Sequence, residues 1–500
     1  MTLFDPVATH AGSMPRRPAV VDLESGRRWS YGELNATVDR LAAWLVGEFG
    51  PNSGTRVATL AKNCAEIVVL QLASARAGTI FVPLNWRLAP AEIDVLVADA
   101  GPALLFHDPE FPAPRTVPRA RPIAELLALG TLGERPPPDA RRPFDAVGTL
   151  LYSSGTSGRP KGIMLSEANG FWGCANFIYG SDVTKRSVFL CDMPLFHTAG
   201  LYAATRVPLQ AGACVLISRG FDPDKTLERL SDPELSVSHY FSVPQMAARL
   251  WNQPGFKPEA LQRLVAWAIG GAPNPRAQTE RFVNAGIRIS EGFGMSESGS
   301  NFGMPTDDLD VLRRKAGSCG RPFMTIEARI VDEHGQSLPA GEVGELWLRG
   351  PCISSGYWNQ PALTAQAFRD GWFRTGDAAM RDEEGFYYIV DRRKDMYISG
   401  GENVYPAEVE AAVAELADVA ECAAVGVPDE QWGEVGRLYV VPVAGRTVTA
   451  ARVIAHCRER LAKFKVPRSV VITNALPRTA SGKVQKHVLK QRALEELGRG

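Results

Sequence analysis

Tyr152-Ser153-Ser154-Gly155-Thr156-Ser157-Gly158-Arg159-Pro160-Lys161-Gly162 packs four hydroxyl side chains, three glycines and a lysine into residues 153–162. An apolar, β-branched run (147–152) enters the stretch, and Ile163-Met164-Leu165 leaves it. Glycines let backbone N–H groups turn toward one point, the hydroxyls add donors, and the lysine adds a full positive charge. Such a loop between two strands suits a polyphosphate. Lys161 is followed by Gly162, so the GxxxxGK[ST] spacing of P-loop NTPases cannot be drawn. Taken alone, a Ser/Gly-rich surface turn reads equally well.

Outward from this loop, strands alternate with helices. Ser30-Tyr31-Gly32-Glu33 has capping-box spacing, and Leu34, Val38, Leu41 and Leu45 recur at helical intervals. Strands are expected at 57–60, 79–84 and 103–106, and helices at 65–77 and 90–100. The pattern resumes from Val147 to about Ile289 after a Pro/Arg-rich connector at 134–145. It predicts α/β architecture with helix-covered, mainly parallel sheets. Short strand-like pieces at 325–331, 344–349 and 386–390, separated by Gly, Pro and Asp turns, predict a small β unit. After the charged break Asp391-Arg392-Arg393-Lys394-Asp395, a compact α+β tail follows.

Composition narrows the function. With 55 basic and 55 acidic residues in 500, no global field would recruit nucleic acid or an anionic membrane. The N-terminus lacks a signal-peptide pattern, and no apolar run is long enough to span a bilayer. Eight scattered cysteines without a CxxC pair read as reduced thiols. Together these features predict a cytoplasmic protein without a transmembrane segment.

Other constellations carry chemistry. Glu291-Gly292-Phe293-Gly294-Met295-Ser296-Glu297 follows an expected strand at 287–289; its glycines let the Phe293 ring approach a flat ligand. Glu297, a hard oxygen ligand beside the Ser296 hydroxyl, suits magnesium held against phosphate. Core packing of Phe293 and a solvated Glu297 are the alternatives. Gly270-Gly271-Ala272-Pro273 is a strand end opening into a turn that admits a planar base, or a plain turn. Gly376-Asp377 places a carboxylate at an expected tight turn, for ribose hydroxyls or for the turn itself. His197 sits in the apolar loop Met193-Pro194-Leu195-Phe196, with no serine or cysteine placed to make it a triad base. Ser481-Gly482-Lys483 is by composition only a basic turn.

In this order and spacing, the segments resemble the acyl-adenylate-forming superfamily of acyl-CoA synthetases, peptide-synthetase adenylation domains and luciferases. Phe293 and Ser296 stand where that family usually has tyrosine and threonine, keeping ring and hydroxyl. The resemblance implies an N-terminal adenylate-forming domain over 1–393, with α/β subdomains 1–145 and 146–310 and a β-barrel-like subdomain 311–393. It also implies a mobile α+β C-terminal domain over 394–500. ATP, Mg2+ and CoA are the implied small molecules. A carboxylate attacks the α-phosphate of ATP, and a thiol then attacks the adenylate. By resemblance, Ser153, Ser154, Gly155, Thr156, Ser157, Gly158 and Lys161 hold the β- and γ-phosphates. Gly271, Ala272 and Pro273 sandwich adenine with Phe293, within a nucleotide-binding run (Glu291, Gly292, Gly294, Met295 and Ser296). Asp377 and Arg392 bind ribose, Glu297 holds magnesium, Ser296 contacts the α-phosphate, and Lys483 bridges carboxylate and phosphate. Lys394 is the implied pivot. Gly400, Gly401, Trp432, Phe464 and Arg468 align with a CoA channel, although Val466 stands where an arginine can occur.

Acceptor and acid follow in the same way. Adenylation domains for amino acids carry an aspartate where this chain has His197, so amino acids are disfavoured. No carrier domain is expected after Lys483, which favours CoA. His197, Tyr240, Phe241, Ser300, Asn301 and Phe302 are the implied acyl pocket, apolar with a hydroxyl and an amide. The expected activity is an AMP-forming ligase joining CoA to a fatty, aromatic or alicyclic acid. A synthetase loading a carrier protein and a non-catalytic nucleotide sensor are the alternatives. A homodimer is left open.

Overall fold

In the computed structural model, Arg56–Leu60 forms the middle of a six-stranded sheet and pairs in parallel with Ile80–Pro83 and Leu104–His107. The sheet order is Ala120–Pro122, Leu104–His107, Arg56–Leu60, Ile80–Pro83, Val147–Ser153, Lys161–Ser166. The structure describes residues 4–137, 140, 142–153, 160–271, 274, 276–392, 397–404, 406–477, 484 and 486–498. Each crossover helix forms where the sequence demands it. Tyr31–Phe49 begins on a capping box in which Ser30 accepts from the Glu33 N–H and Glu33 accepts from the Ser30 N–H. Ala65–Ala77 is apolar almost all round and buried, as a helix enclosed by neighbours must be.

A second sheet has nine strands. Its central run Ile289–Met295, Ala266–Ile269, His239–Ser242, Val188–Cys191, Cys214–Ile217 and Pro18–Asp22 is parallel throughout. Antiparallel strands close both edges: Gly299–Gly303 and Arg321–Pro322 on one side, Arg28–Ser30 on the other. Trp267, Phe282 and Tyr240 are buried here, and Trp267 makes edge-on ring contacts with both of the others. A smaller antiparallel sheet follows, in the order Glu327–Val331, Val343–Arg349, Trp372–Arg381, Phe368–Arg369, with Tyr387–Arg392 also paired to Trp372–Arg381. Two helix-covered, mainly parallel sheets plus a small β unit are the α/β architecture expected.

By its internal packing the chain forms two compact units. One comprises Met1–Trp86, Asp99–Leu151 and Gly162–Asp391; the other comprises Arg87–Ala98, Tyr152–Lys161 and Arg392–Gly500. The second has its own α+β core. Glu402–Val404, Tyr397–Ser399, Gly433–Pro442 and Val419–Asp429 form its sheet, extended by Ser469–Ile472, and Pro406–Ala414 and Ala450–Arg460 pack against it. Among the described residues, no helix is long and apolar enough to cross a membrane.

Two local expectations change. The strand expected at 287–289 starts at Ile289 and runs to Met295, so Phe293 lies in a strand and not after one. Its extension is stabilised by pairing with Gly299–Gly303, which residues 287–297 alone do not encode. Ala199–Arg206, unassigned from sequence, is a π-helix running into the α-helix Val207–Ala211.

Candidate active site

The hairpin of Ile289–Met295 and Gly299–Gly303 carries the largest group of residues singled out from sequence. Phe293 pairs with Phe302, and their rings meet edge-on at 5.8 Å. Phe302 is buried and also packs on Tyr387, with ring centroids 4.9 Å apart. Gly271 lies just beyond the neighbouring strand Ala266–Ile269, whose Ile269 pairs with Glu291. Gly271 and Phe293 thus emerge from adjacent parallel strands at one sheet edge. Ala272 and Pro273 lie outside the described residues.

Glu291 serves this turn from behind. Its carboxylate accepts from the Thr279 hydroxyl (2.6 Å) and the Gly317 N–H (3.1 Å), and Thr279 accepts from the Asn274 amide (2.7 Å). Burial pushes the Glu291 carboxyl above its ordinary pKa, while those donors hold it down. Both of these donors bond its Oε1.

Glu297 is fixed from another direction. The Tyr357 hydroxyl donates to its Oε1 at 3.0 Å, and the Ser354 N–H donates to its carbonyl at 2.7 Å. Residues 356–358 also run antiparallel to residues 162–164. Trp358 N–H donates to the Gly162 carbonyl (2.7 Å), Met164 N–H donates to the Gly356 carbonyl (3.0 Å), and Ile163 pairs with Tyr357. Tyr357 therefore joins Glu297 to the chain leaving the hydroxyl-rich loop. Sequence reading missed Tyr357. Its signal was the Gly356-Tyr357-Trp358 triplet, which has no chemistry to announce until its pairing is seen.

Ser153 ends the strand Val147–Ser153, and Lys161, buried, opens Lys161–Ser166. Ser154, Gly155, Thr156, Ser157 and Gly158 lie outside the described residues. Asp377 is buried, but not at the tight turn expected. It lies within Trp372–Arg381, where the register against Val343–Arg349 shifts. Arg374 faces Trp347 and Ala378 faces Glu345, so residues 375–377 oppose Leu346 alone. Such a bulge re-aims side chains out of the ladder. Arg392 ends the strand Tyr387–Arg392; its side chain, Lys394 and Lys483 lie outside the described residues.

His197 follows the strand Val188–Cys191. Its N–H donates to the Pro194 carbonyl (3.1 Å), its carbonyl accepts from Leu201 N–H (2.9 Å), and its ring meets Phe196 edge-on at 4.6 Å. A Cβ on Gly200 would sit 2.1 Å from the Pro194 oxygen, so only glycine fits there. Of the other acyl-pocket residues, Phe241 is half-buried and its ring lies nearest a Cβ built on Gly270. Ser300 is half-buried, and its carbonyl accepts from Asn176 (3.2 Å). The other three are buried. Tyr240 is buried and donates to Asp192 (3.2 Å), Asn301 is buried between Ser298 and Cys352, and Phe302 packs as above.

In the second unit, Gly400 and Gly401 turn the chain between Tyr397–Ser399 and Glu402–Val404 with φ of +60° and +83°. Gly400 N–H donates to the Trp432 carbonyl (2.8 Å), and a Cβ there would lie 2.6 Å from the indole. Glycine is required by both conformation and space. Phe464 is a core residue, and Arg468 is exposed with its N–H on the Gly436 carbonyl (2.7 Å). Among the described residues, no three His, Cys, Asp or Glu side chains group as a metal site. The Glu297 carboxylate, a single hard oxygen ligand, would nevertheless suit magnesium, which keeps most of its shell as water and phosphate oxygen.

The AMP-binding enzyme family matches residues 7–358, and its C-terminal domain matches residues 408–483. The chain is 38% identical to a feruloyl-CoA synthase of Amycolatopsis over 93% of this chain and 94% of that one. It is 35% identical to an indoleacetate–CoA ligase of Aromatoleum aromaticum, over 98% of each. Among solved structures, it resembles a double mutant of o-succinylbenzoate CoA synthetase from Bacillus subtilis bound with a product analogue. There the TM-score is 0.89 and the identity 30%, over 98% of this chain and 99% of that one.

Proposed function

Because the chain belongs to the AMP-binding enzyme family, we infer that it is an ATP-dependent acyl-CoA synthetase acting on a hydrophobic carboxylic acid. It forms an acyl-adenylate with release of pyrophosphate, then passes the acyl group to CoA with release of AMP. The observation that carries the site assignment is the bridge through Tyr357, which ties Glu297 to the strand leaving the hydroxyl-rich loop.

The chemical difficulty of the first step is that two anions must meet. We assign the loop hydroxyls and Lys161 to the β- and γ-phosphates, Ser296 to the α-phosphate, and Lys483 to the carboxylate as it approaches phosphorus. These groups offset charge that spreads over the phosphoryl oxygens in the transition state. Glu297 would hold magnesium, which supplies Lewis-acid charge neutralisation when bound. Gly271, Ala272, Pro273 and Phe293 would enclose adenine, and Asp377 and Arg392 would bind ribose. For the second step, the glycine turn at 400–401 beside Trp432 offers a narrow passage for a pantetheine arm. Residues 1–393 and 394–500 are the proposed domains, and the eight free cysteines support the cytoplasm as the working compartment.

Among hydrophobic acids we place aryl and arylalkanoic acids first. The names of the two curated relatives and the ring contact of Phe196 with His197 support that order. Acid-dependent ATP–pyrophosphate exchange over a panel of aryl, alicyclic and straight-chain acids tests the reading. Exchange is expected with aryl acids, and CoA, rather than a holo-carrier protein, should accept the product. Absence of exchange across the whole panel would overturn the ligase assignment.

A further inference from the structure

We propose that Asn63 is a positioning residue for the acid site, acting through the main chain that carries His197. Asn63 sits in the turn 61–64, between the strand Arg56–Leu60 and the helix Ala65–Ala77, and is 4% exposed. Its side-chain amide donates to the Met193 carbonyl at 2.9 Å and accepts from the Leu195 N–H at 2.9 Å. It thus brackets Pro194, whose carbonyl in turn accepts the His197 N–H. Met193 and Leu195 are themselves buried, so without Asn63 the Leu195 N–H would lose its partner. Opposite amide orientation would set N–H against N–H, so the observed one is dictated by the loop.

The turn that presents Asn63 is held on both sides. Lys62 N–H donates to Asp108 (2.9 Å), and Ala65 N–H donates to Asp22 (3.0 Å). A second route reaches the same loop through rings: Lys62 lies over Trp86 at 5.7 Å, Trp86 meets Phe196 edge-on at 6.2 Å, and Phe196 meets His197. Arg56–Leu60 belongs to the six-stranded sheet and Val188–Cys191 to the nine-stranded one. Asn63 therefore fastens the loops at the carboxyl ends of two parallel sheets, the side on which open α/β sheets bind ligands. The amide sets where the imidazole stands relative to the acid without touching it.

This proposal rests on His197 serving the acid, as assigned above. The test is a double-mutant cycle of N63A and H197A in the full-length enzyme, read by acid-dependent pyrophosphate exchange. N63A should lower kcat/KM for the acid on the order of tenfold or more while leaving the KM for ATP within about twofold. In the H197A background, N63A should change the acid kinetics less than about twofold, because the residue it positions is gone. Equal effects in both backgrounds would overturn the proposal by showing a scaffold role only. So would an H197A variant with unchanged acid kinetics. Wild-type exchange with the same acid reports the ligase reading separately. If N63A does not fold, N63D runs the same cycle, since it keeps the acceptor for Leu195 and replaces the donor to Met193 with a carboxylate oxygen.

Discussion

Tyr357 turns Glu297 from a turn carboxylate into a fixed one, and that fixes the first prediction at the level of one hydroxyl. A hydrogen bond to a charged acceptor contributes roughly 1.5–3 kcal/mol, part of which is lost to water when it breaks. Tyr357→Phe should raise the magnesium concentration for half-maximal exchange severalfold while leaving the fold intact; an unchanged magnesium dependence would detach Tyr357 from metal binding. His239 gives a second residue-scale outcome. Its ring stacks on Phe189 at 4.7 Å, with Nε2–H donating to the Ser181 carbonyl (2.8 Å) and Nδ1 accepting from the Ser238 hydroxyl (2.8 Å). Burial lowers its pKa from 6.5 to about 4. Because the folded value is depressed, this stabilisation is fully present above pH 6.5 and is lost as pH falls toward 4. The loss is roughly 2 kcal/mol by pH 5. Urea unfolding at pH 7 and pH 5 should show that drop in the wild type and a flatter profile in His239→Gln. Phe293 and Glu297 were singled out by residue type and spacing, and their roles were implied only by the family resemblance. Tyr357 and Asn63 were not, because each acts through a partner far along the chain.

At the scale of elements, local signals marked the helices and tertiary pairing set the rest. The capping box at Ser30 and Glu33 and the apolar run from Ala65 announce their helices. Nothing in residues 199–206 announces a π-helix. Its wider turn accompanies the buried Arg206–Glu167 pair (3.0 Å) and the Tyr202–Thr149 hydrogen bond (3.2 Å), both made to distant segments. The bulge that carries Asp377 is equally silent in sequence, since it exists only relative to the neighbouring strand. In the second unit, Lys465 joins two helices by bonding Glu92 of Pro90–Ala100 (2.7 Å) and Glu408 of Pro406–Ala414 (2.6 Å), and is 3% exposed. Burial drives the Glu408 carboxyl upward against the pull of Lys465. Removing the cation strands two carboxylates in a dry site, so Lys465→Met should destabilise this unit by about 3–5 kcal/mol. Thermal unfolding of the full chain should show an earlier transition. Adding Glu408→Leu should recover most of the loss, and no recovery would assign the damage to packing instead of charge.

Over the whole molecule, the two half-reactions ask for different chemistry from one C-terminal segment. Lys483 is assigned to the first step, and the glycine turn at 400–401 beside Trp432 to the second. We propose that the segment serves them in turn. The family resemblance implies the pivot at Lys394, within the charged break at 391–395; Lys394 itself lies outside the described residues. Proline fixes φ near −65° and removes a donor, which restricts rotation there without altering any proposed ligand. Lys394→Pro should therefore keep acid-dependent exchange near the wild-type rate while slowing thioester formation from supplied acyl-adenylate. Lys483→Ala should do the reverse, because its charge is needed only while carboxylate and phosphate approach each other. Measured side by side, the two variants should separate the half-reactions in opposite directions. If both instead lose exchange and thioester formation in equal proportion, one fixed arrangement must perform both steps, and the division of labour between Lys483 and the glycine turn fails.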